Sequence, residues 1–432
     1  MCQLPTEVGG PSDGEPVLEG NGNGNKTIPA GGQRTTVTAD FRSRGTQRAG
    51  GAGTRRAADS GQPPAPEVLV VPDYRDSNPY QERLAAALEA EGAAVRTRSS
   101  PGLLFPLSRV AREVDPDAVH LHFFHPFMIV GDDRLRRWGL GTVLTFVLGV
   151  MLLVDLALLK FRGVRTVWTV HDLLNHERLS VRTELFVKHV AVRLVFDGVI
   201  LHCDRAGEEL RAACRLPESA AAKFTVVPHG HFQGEYPDEV TPEAARDRLG
   251  LPADSTVFLF FGWVRPYKQV PRLIEHFCRL EDPSARLLVV GSAREDDIAG
   301  RVEELAGRDD RVRTVLEFVP DEEVQVYMAA ADAVVLPFRT GERSMLTSGS
   351  VLLAMSFGRA VVAPDIGCIG AVLDERGGVP YEPAEDQPLR AMRELVDADT
   401  AGMGAHNRRV AESLDWGTVA RRTLAVYRGE LP

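Results

Sequence analysis

Several common site signatures are missing from this chain. Its five cysteines (Cys2, Cys203, Cys214, Cys278 and Cys368) are scattered, odd in number and without a CxxC pair. That usage predicts reduced thiols and no structural metal. No GxGxxG opens either half, which argues against a dinucleotide dehydrogenase. Lysine is scarce beside arginine, and a net charge of -10 leaves no basic surplus to meet nucleic-acid phosphates. The N-terminus lacks a basic start followed by an apolar run, so no cleavable signal peptide is expected. Residues 1–66 have hardly any large apolar side chains. They cannot bury enough surface to offset chain entropy and are expected to be a disordered tail.

What remains has the balance of a soluble globular protein, 44% hydrophobic and 25% charged, with length for two or three domains. From Glu67 onward, short apolar runs alternate with helical patterns, the mark of doubly wound α/β folding. A polar, Pro-rich passage from Gln233 to Asp254 divides this region. The expected domains are therefore 67–235 and 236–415. A C-terminal helix over 416–432 is expected to pack back on the first domain. Within the second domain, residues 331–364 read as a strand, a loop, a helix and a parallel strand. Thr347-Ser348-Gly349-Ser350 stand at the helix start, where free amides and the helix dipole favour phosphate. A plain capping role for Thr347 or Ser348 is the competing reading.

Four segments then fall in a telling order. Val170-His171-Asp172 ends a strand, and Val227-Pro228-His229-Gly230 ends another. Gly262 to Lys268 follows a buried strand, and Leu353 to Pro364 covers the helix and strand after the TSGS run. Together they resemble the HD motif, the segment entering the cleft, the G-R-x-x-P-x-K phosphate motif and the EAMACGKPVVA motif of retaining-type glycosyltransferases of the broad family 4 group. The resemblance covers about Val68 to Tyr427. It implies the GT-B fold, two Rossmann-like domains facing a cleft. It also implies metal-independent sugar transfer from a nucleotide-sugar donor to a glycan or lipid-linked acceptor, in surface polysaccharide or glycolipid synthesis. The nucleotide-sugar is the donor substrate, and no further cofactor is implied. Three positions depart from the family. Trp263 replaces the arginine after the glycine, with Arg265 two places on. Met345 and Leu353 stand where the paired glutamates are expected, leaving Glu342 as a displaced carboxylate.

The resemblance assigns Arg265, Lys268, Thr347, Ser348, Gly349 and Ser350 to the donor diphosphate, where negative charge builds in the transition state. His171 and Glu342 are the catalytic candidates, with Tyr74, Asn78, Asp172 and His229 facing substrate. Of His120 and His122, one is expected to be a core histidine with satisfied nitrogens. Leu140 to Leu159 is long enough to span a bilayer, yet strand pattern resumes directly after it. It is read as a helix packed on the sheet, either as plain core or with an apolar face on a membrane surface. The implied location is the cytoplasm, at the cytoplasmic face of a membrane. Two other readings stay open: a nucleotide-sugar epimerase on the same fold, and a non-catalytic nucleotide-sugar-binding partner.

Overall fold

The computed structural model describes residues 66–430 apart from 100–103, 132–133, 136–138, 176–177, 294, 340–346, 383 and 385. The expected N-terminal tail, and with it Cys2, lies outside the described residues, as do Met345 and the candidate Glu342.

Six short runs, most of them largely apolar, form the first sheet: β1 (Glu67–Val71), β2 (Ala94–Thr97), β3 (Ala118–Leu121), β4 (Arg165–Thr169), β5 (Gly198–Leu201) and β6 (Phe224–Val226). All pair in parallel, in the order β2-β1-β3-β4-β5-β6. Its helices are α1 (Pro79–Ala90), α2 (Pro106–Val114), α3 (His125–Met128), α4 (Leu140–Phe161), α5 (Val181–Val190) and α6 (Asp204–Cys214). Successive strand residues serve opposite faces. Val68 and Val70 join one core, and Leu69 and Val71 join the other.

The second sheet repeats the plan with β7 (Val257–Phe261), β8 (Arg286–Val290), β9 (Val312–Val315), β10 (Ala333–Val335), β11 (Ala360–Pro364) and β12 (Gly378–Tyr381). Its order is β12-β11-β10-β7-β8-β9, again parallel throughout. Its helices are α7 (Pro242–Leu249), α8 (Val270–Phe277), α9 (Asp296–Ala306), α10 (Asp321–Ala330), α11 (Gly349–Ser356), α12 (Ile369–Val372), α13 (Gln387–Val396) and α14 (Thr400–Ser413). A last helix, α15 (Trp416–Arg428), returns to the first lobe, packing on α1, β4 and β5 through Trp416, Val419, Leu424 and Tyr427.

In open parallel sheets, ligands bind beyond the strand ends where the strand order reverses. Here those points lie between β1 and β3 in one lobe and between β7 and β10 in the other. The loops leaving these four strands converge on one cleft.

Two expectations change. Cys203, just past β5, and Cys368, just before α12, form a disulfide joining the two lobes, so these thiols are not reduced. The Arg205–Asp365 ion pair lies alongside. Neighbour spacing could not show this pairing, because 165 residues separate the partners. Cys214 and Cys278 are free. Second, α4 is not a plain core helix: most of its large apolar side chains face outward.

Candidate active site

A cavity of about 260 Å³ lies between the lobes. Asn78, Tyr80, Phe123, His171, Asp172 and His229 line it from the N-terminal lobe, and Lys268 and Thr347 to Ser350 line it from the C-terminal lobe. The structure thus brings together most of the residues singled out in the sequence. Tyr74 stands behind the wall, its ring against Phe123 and His125. Arg265 lines a neighbouring cavity instead.

On the C-terminal side, Pro266–Lys268 form a single 3-10 turn before α8, and this turn carries the Lys268 side chain inward. Four lysines are described. Lys160, Lys188 and Lys223 each bond carbonyls, with a carboxylate added for the first two. Lys268 has no carboxylate or carbonyl partner among the described residues, and its Nζ lies 5.7 Å from the Phe260 ring centroid. Burial, reinforced by the nearby Arg265 charge, lowers its pKa to about 8. An anion in the cleft would relieve both costs. Gly262 makes the approach possible, because a Cβ there would lie only 3.0 Å from Lys268 Nζ and 3.4 Å from Ser350 Oγ.

At the start of α11 the two hydroxyls separate in role. Ser348 Oγ caps the helix, accepting from the Val351 N–H at 3.4 Å. Thr347 Oγ1 is buried beside the cavity without a partner among the described residues. Capping therefore accounts for Ser348 and leaves Thr347 for a ligand.

The N-terminal side is built from uncharged rings. His202 Nδ1 faces the Val227 carbonyl at 3.0 Å, so it must donate and leave Nε2 as an acceptor. His171 Nδ1 then donates to His202 Nε2 at 3.5 Å. His171 Nε2 in turn accepts from His122 Nδ1 at 2.9 Å. The chain ends at His122 Nε2, a buried lone pair with no partner among the described residues. His120 is the core histidine, held by Tyr427 Oη at 2.6 Å and Thr169 Oγ1 at 2.7 Å. Burial pushes all these imidazoles toward the neutral form, His202 to about 4 and His120 to about 3. His229, also lowered to about 3, donates Nδ1–H to the Gly230 carbonyl. Tyr80 packs edge-on or tilted against His122, His171, His202 and His229. No group of three or more His, Cys, Asp or Glu suited to a metal ion occurs among the described residues.

Two further cavities adjoin this one. One, about 390 Å³, shares Phe123 and Asp172 with it and runs beneath α3 to the buried Lys188–Glu184 pair. Lys188 also lies 5.5 Å from the Phe124 and Trp168 ring centroids. The other, about 350 Å³, shares Asn78 and Ser350 and is walled by Gly262, Trp263, Phe318, Val319 and Leu353. Three cavities thus lie in a row, with Asp172 at one junction and Ser350 at the other. The sequence reading missed Tyr80, Phe123 and Phe318. Phe123 and Phe318 were visible as aromatics two and three residues past strand ends, whereas Tyr80, in the first turn of α1, carried no such mark.

Residues 255–398 match the family described as glycosyl transferases group 1. The chain is 26% identical over 303 residues to a GDP-mannose:glycolipid 4-beta-D-mannosyltransferase of Xanthomonas campestris pv. campestris, covering 70% of this chain and 74% of that protein. It is 32% identical over 245 residues to a D-inositol 3-phosphate glycosyltransferase of Kineococcus radiotolerans, covering 51% and 55%. Among solved structures it resembles the HepE protein of Anabaena in complex with UDP and glucose. The TM-score is 0.60 at 18% identity, over 83% of this chain and 98% of that one, a likeness of fold alone.

Proposed function

We propose, from the match of residues 255–398 to the group 1 glycosyl transferases and from the GT-B fold, how the three cavities of this nucleotide-sugar-dependent glycosyltransferase divide the work. The nucleoside lies against Phe318 and Trp263, its diphosphate beside Lys268, and its sugar in the middle cavity. The acceptor enters the cavity beneath α3. The observation that carries this reading is Lys268, a buried cation with no carboxylate partner among the described residues, at the meeting of two strand-end loops.

The acceptor hydroxyl attacks the anomeric carbon, and the bond from that carbon to the diphosphate oxygen breaks. Lys268 and the amides opening α11 take up the negative charge of the departing diphosphate, with the Arg265 charge close to Lys268, the kind of stabilisation worth most in a preorganised site. The hydroxyl proton passes to Asp172, which lies at the junction of the acceptor and sugar cavities. His171 is a weaker candidate for that proton. Its Nε2 lone pair is engaged by His122, and burial lowers its basicity. We assign it to holding the wall and binding sugar. Base and leaving-group cations stand on opposite lobes, so the proton and the leaving diphosphate depart on opposite sides of the sugar cavity. A lipid-linked glycan acceptor is supported by the glycolipid in the name of the Xanthomonas relative. A membrane surface is the place we assign to the reaction.

A thermal-shift and turnover screen with GDP-, UDP- and ADP-sugars tests the reading, with GDP-mannose first. One base should stabilise the protein and support transfer. Stabilisation without transfer to any acceptor would favour a binding partner over an enzyme.

A further inference from the structure

The helix α4 is built inside out. Its inward positions are Gly141, Thr145, Gly149, Leu152, Asp155, Leu156 and Leu159, half of them small or polar. Both polar residues are satisfied by the protein. Thr145 Oγ1 accepts from the Val130 N–H at 3.1 Å. Asp155 caps α2, accepting from the N–H groups of Leu107 and Ser108 at 2.8 and 2.9 Å. Gly149 lets α5 come close, since a Cβ there would meet Val187 at 2.7 Å. Outward, by contrast, point Leu140, Val143, Leu144, Phe146, Val147, Val150, Val154, Leu158 and Phe161. A soluble protein's surface helix has the reverse pattern.

The patch does not end with α4. Phe186 of α5 stacks on Phe146 at 6.1 Å, and Leu194 is 67% exposed in the π turn (Ala191–Val195) that follows α5 and packs on α4. These eleven side chains make an outward apolar face of the kind that marks a contact with a membrane or a partner. Around it stand the exposed Arg134, Arg162, Arg182 and Arg193. Within α4, α5 and the π turn no carboxylate is exposed: Asp155 and Glu184 are both buried.

We propose that this face docks on an anionic lipid bilayer, with α4 lying in the interface plane. A spanning role is ruled out by β4, which resumes the N-terminal sheet four residues after α4 ends. The buried Asp155 is no obstacle, since it points away from the lipid side. Charge decides between lipid and a second copy of the chain. A symmetric pairing would bring the same arginines of two copies together, whereas anionic headgroups neutralise them. The acceptor cavity borders the same elements, its wall running from α3 to α5. Docking there would offer a lipid-linked acceptor a short path. That last benefit rests on the proposed transferase reading, but the docking itself does not.

Full-length protein is mixed with vesicles of phosphatidylcholine alone or with added phosphatidylglycerol, and the sedimented fraction is measured at low and high salt. Binding is expected to the anionic vesicles and to weaken with salt. The exposed-face variant Val147→Glu with Val154→Glu should bind about tenfold more weakly or worse. Its thermal midpoint, and its thermal shift with a nucleoside diphosphate, should stay as in the parent. Arg162→Gln with Arg182→Gln should lose the salt-sensitive part. A parent protein that stays in solution with anionic vesicles at low salt overturns the proposal. So does undiminished binding of the glutamate variant. A stable dimer that this variant splits, without vesicle binding, would make the face an interface between copies. Donor binding retained in each case keeps this outcome separate from failure of the transferase reading.

Discussion

At the cleft the C-terminal lobe presents a buried lysine, an arginine and the amides that open α11, whereas the N-terminal lobe presents neutral imidazoles and aromatic rings around Asp172 and Arg178. Both lobes are six-stranded parallel sheets with a reversal of strand order at the cleft. The scaffold is therefore common, and the chemistry comes from what each lobe hangs on its strand ends. A leaving diphosphate needs positive charge held ready. A sugar alcohol needs apolar ring faces, neutral hydrogen-bonding atoms and one base. Five imidazoles kept uncharged by burial suit the second task, and a lysine pushed down to about 8 but still mostly protonated at neutral pH suits the first.

The division can be broken from either side. The largest effect should come from the N-terminal lobe. Asp172→Asn removes the base while keeping its shape and should lower turnover by about 10²–10⁴-fold. Nucleoside diphosphate affinity, measured by calorimetry, should be unchanged; loss of both together would move Asp172 to the donor side. Next comes the link between the lobes. Cys203→Ser, or reduction, should cost about 2–5 kcal/mol of unfolding free energy, since the bridge closes a long loop. Denaturant melts with and without reductant measure it.

On the C-terminal side, Lys268→Ala should weaken nucleoside diphosphate binding by about 1.5–3 kcal/mol. The thermal midpoint should hold or rise, because an unpaired buried charge is removed. Acidity gives the same test without mutation. The folded pKa lies below the ordinary 10.5, and an anion binds the protonated form. Affinity should therefore be full below about pH 8 and decline above it. The ligand-free protein should gain stability from this lysine between about 8 and 10.5, where the unfolded chain holds the proton longer. A flat affinity profile from pH 7 to 9.5 would detach Lys268 from the donor.

The smallest effects separate two adjacent hydroxyls. Ser348→Ala should cost about 1 kcal/mol of stability as a lost cap. Thr347→Ala should leave stability alone and weaken donor binding by about 0.5–1.5 kcal/mol. Matched midpoints and titrations on the two variants decide this.

Strand-end motifs can be read from sequence because the reading needs only local pattern. Buried parallel strands are continuous apolar runs, and the residues just past them must face the ligand side. That logic reached His171, Lys268 and Ser350 directly. It could not reach their partners. His171 meets His122 and His202 only because β3, β4 and β5 lie side by side, and each ring takes its tautomer from its neighbour. Phe318 becomes a cavity wall only where the loop after β9 meets the loop after β7.

The amino-acid sequence by itself determined the α/β alternation, the two-lobed plan, the helix over Leu140–Phe161 and the strand-end candidates. Each follows from hydrophobic period and local chain geometry. Tertiary structure alone decided that Cys203 meets Cys368, that Lys268 lacks a carboxylate partner among the described residues, and that α4 turns its small and polar side inward. Pairing, solvation and the choice of a buried face depend on groups far apart in the chain. For α4, nearly uniform hydropathy marks no inner face, and only the fit of Gly149 against Val187 and of Asp155 under α2 selects it.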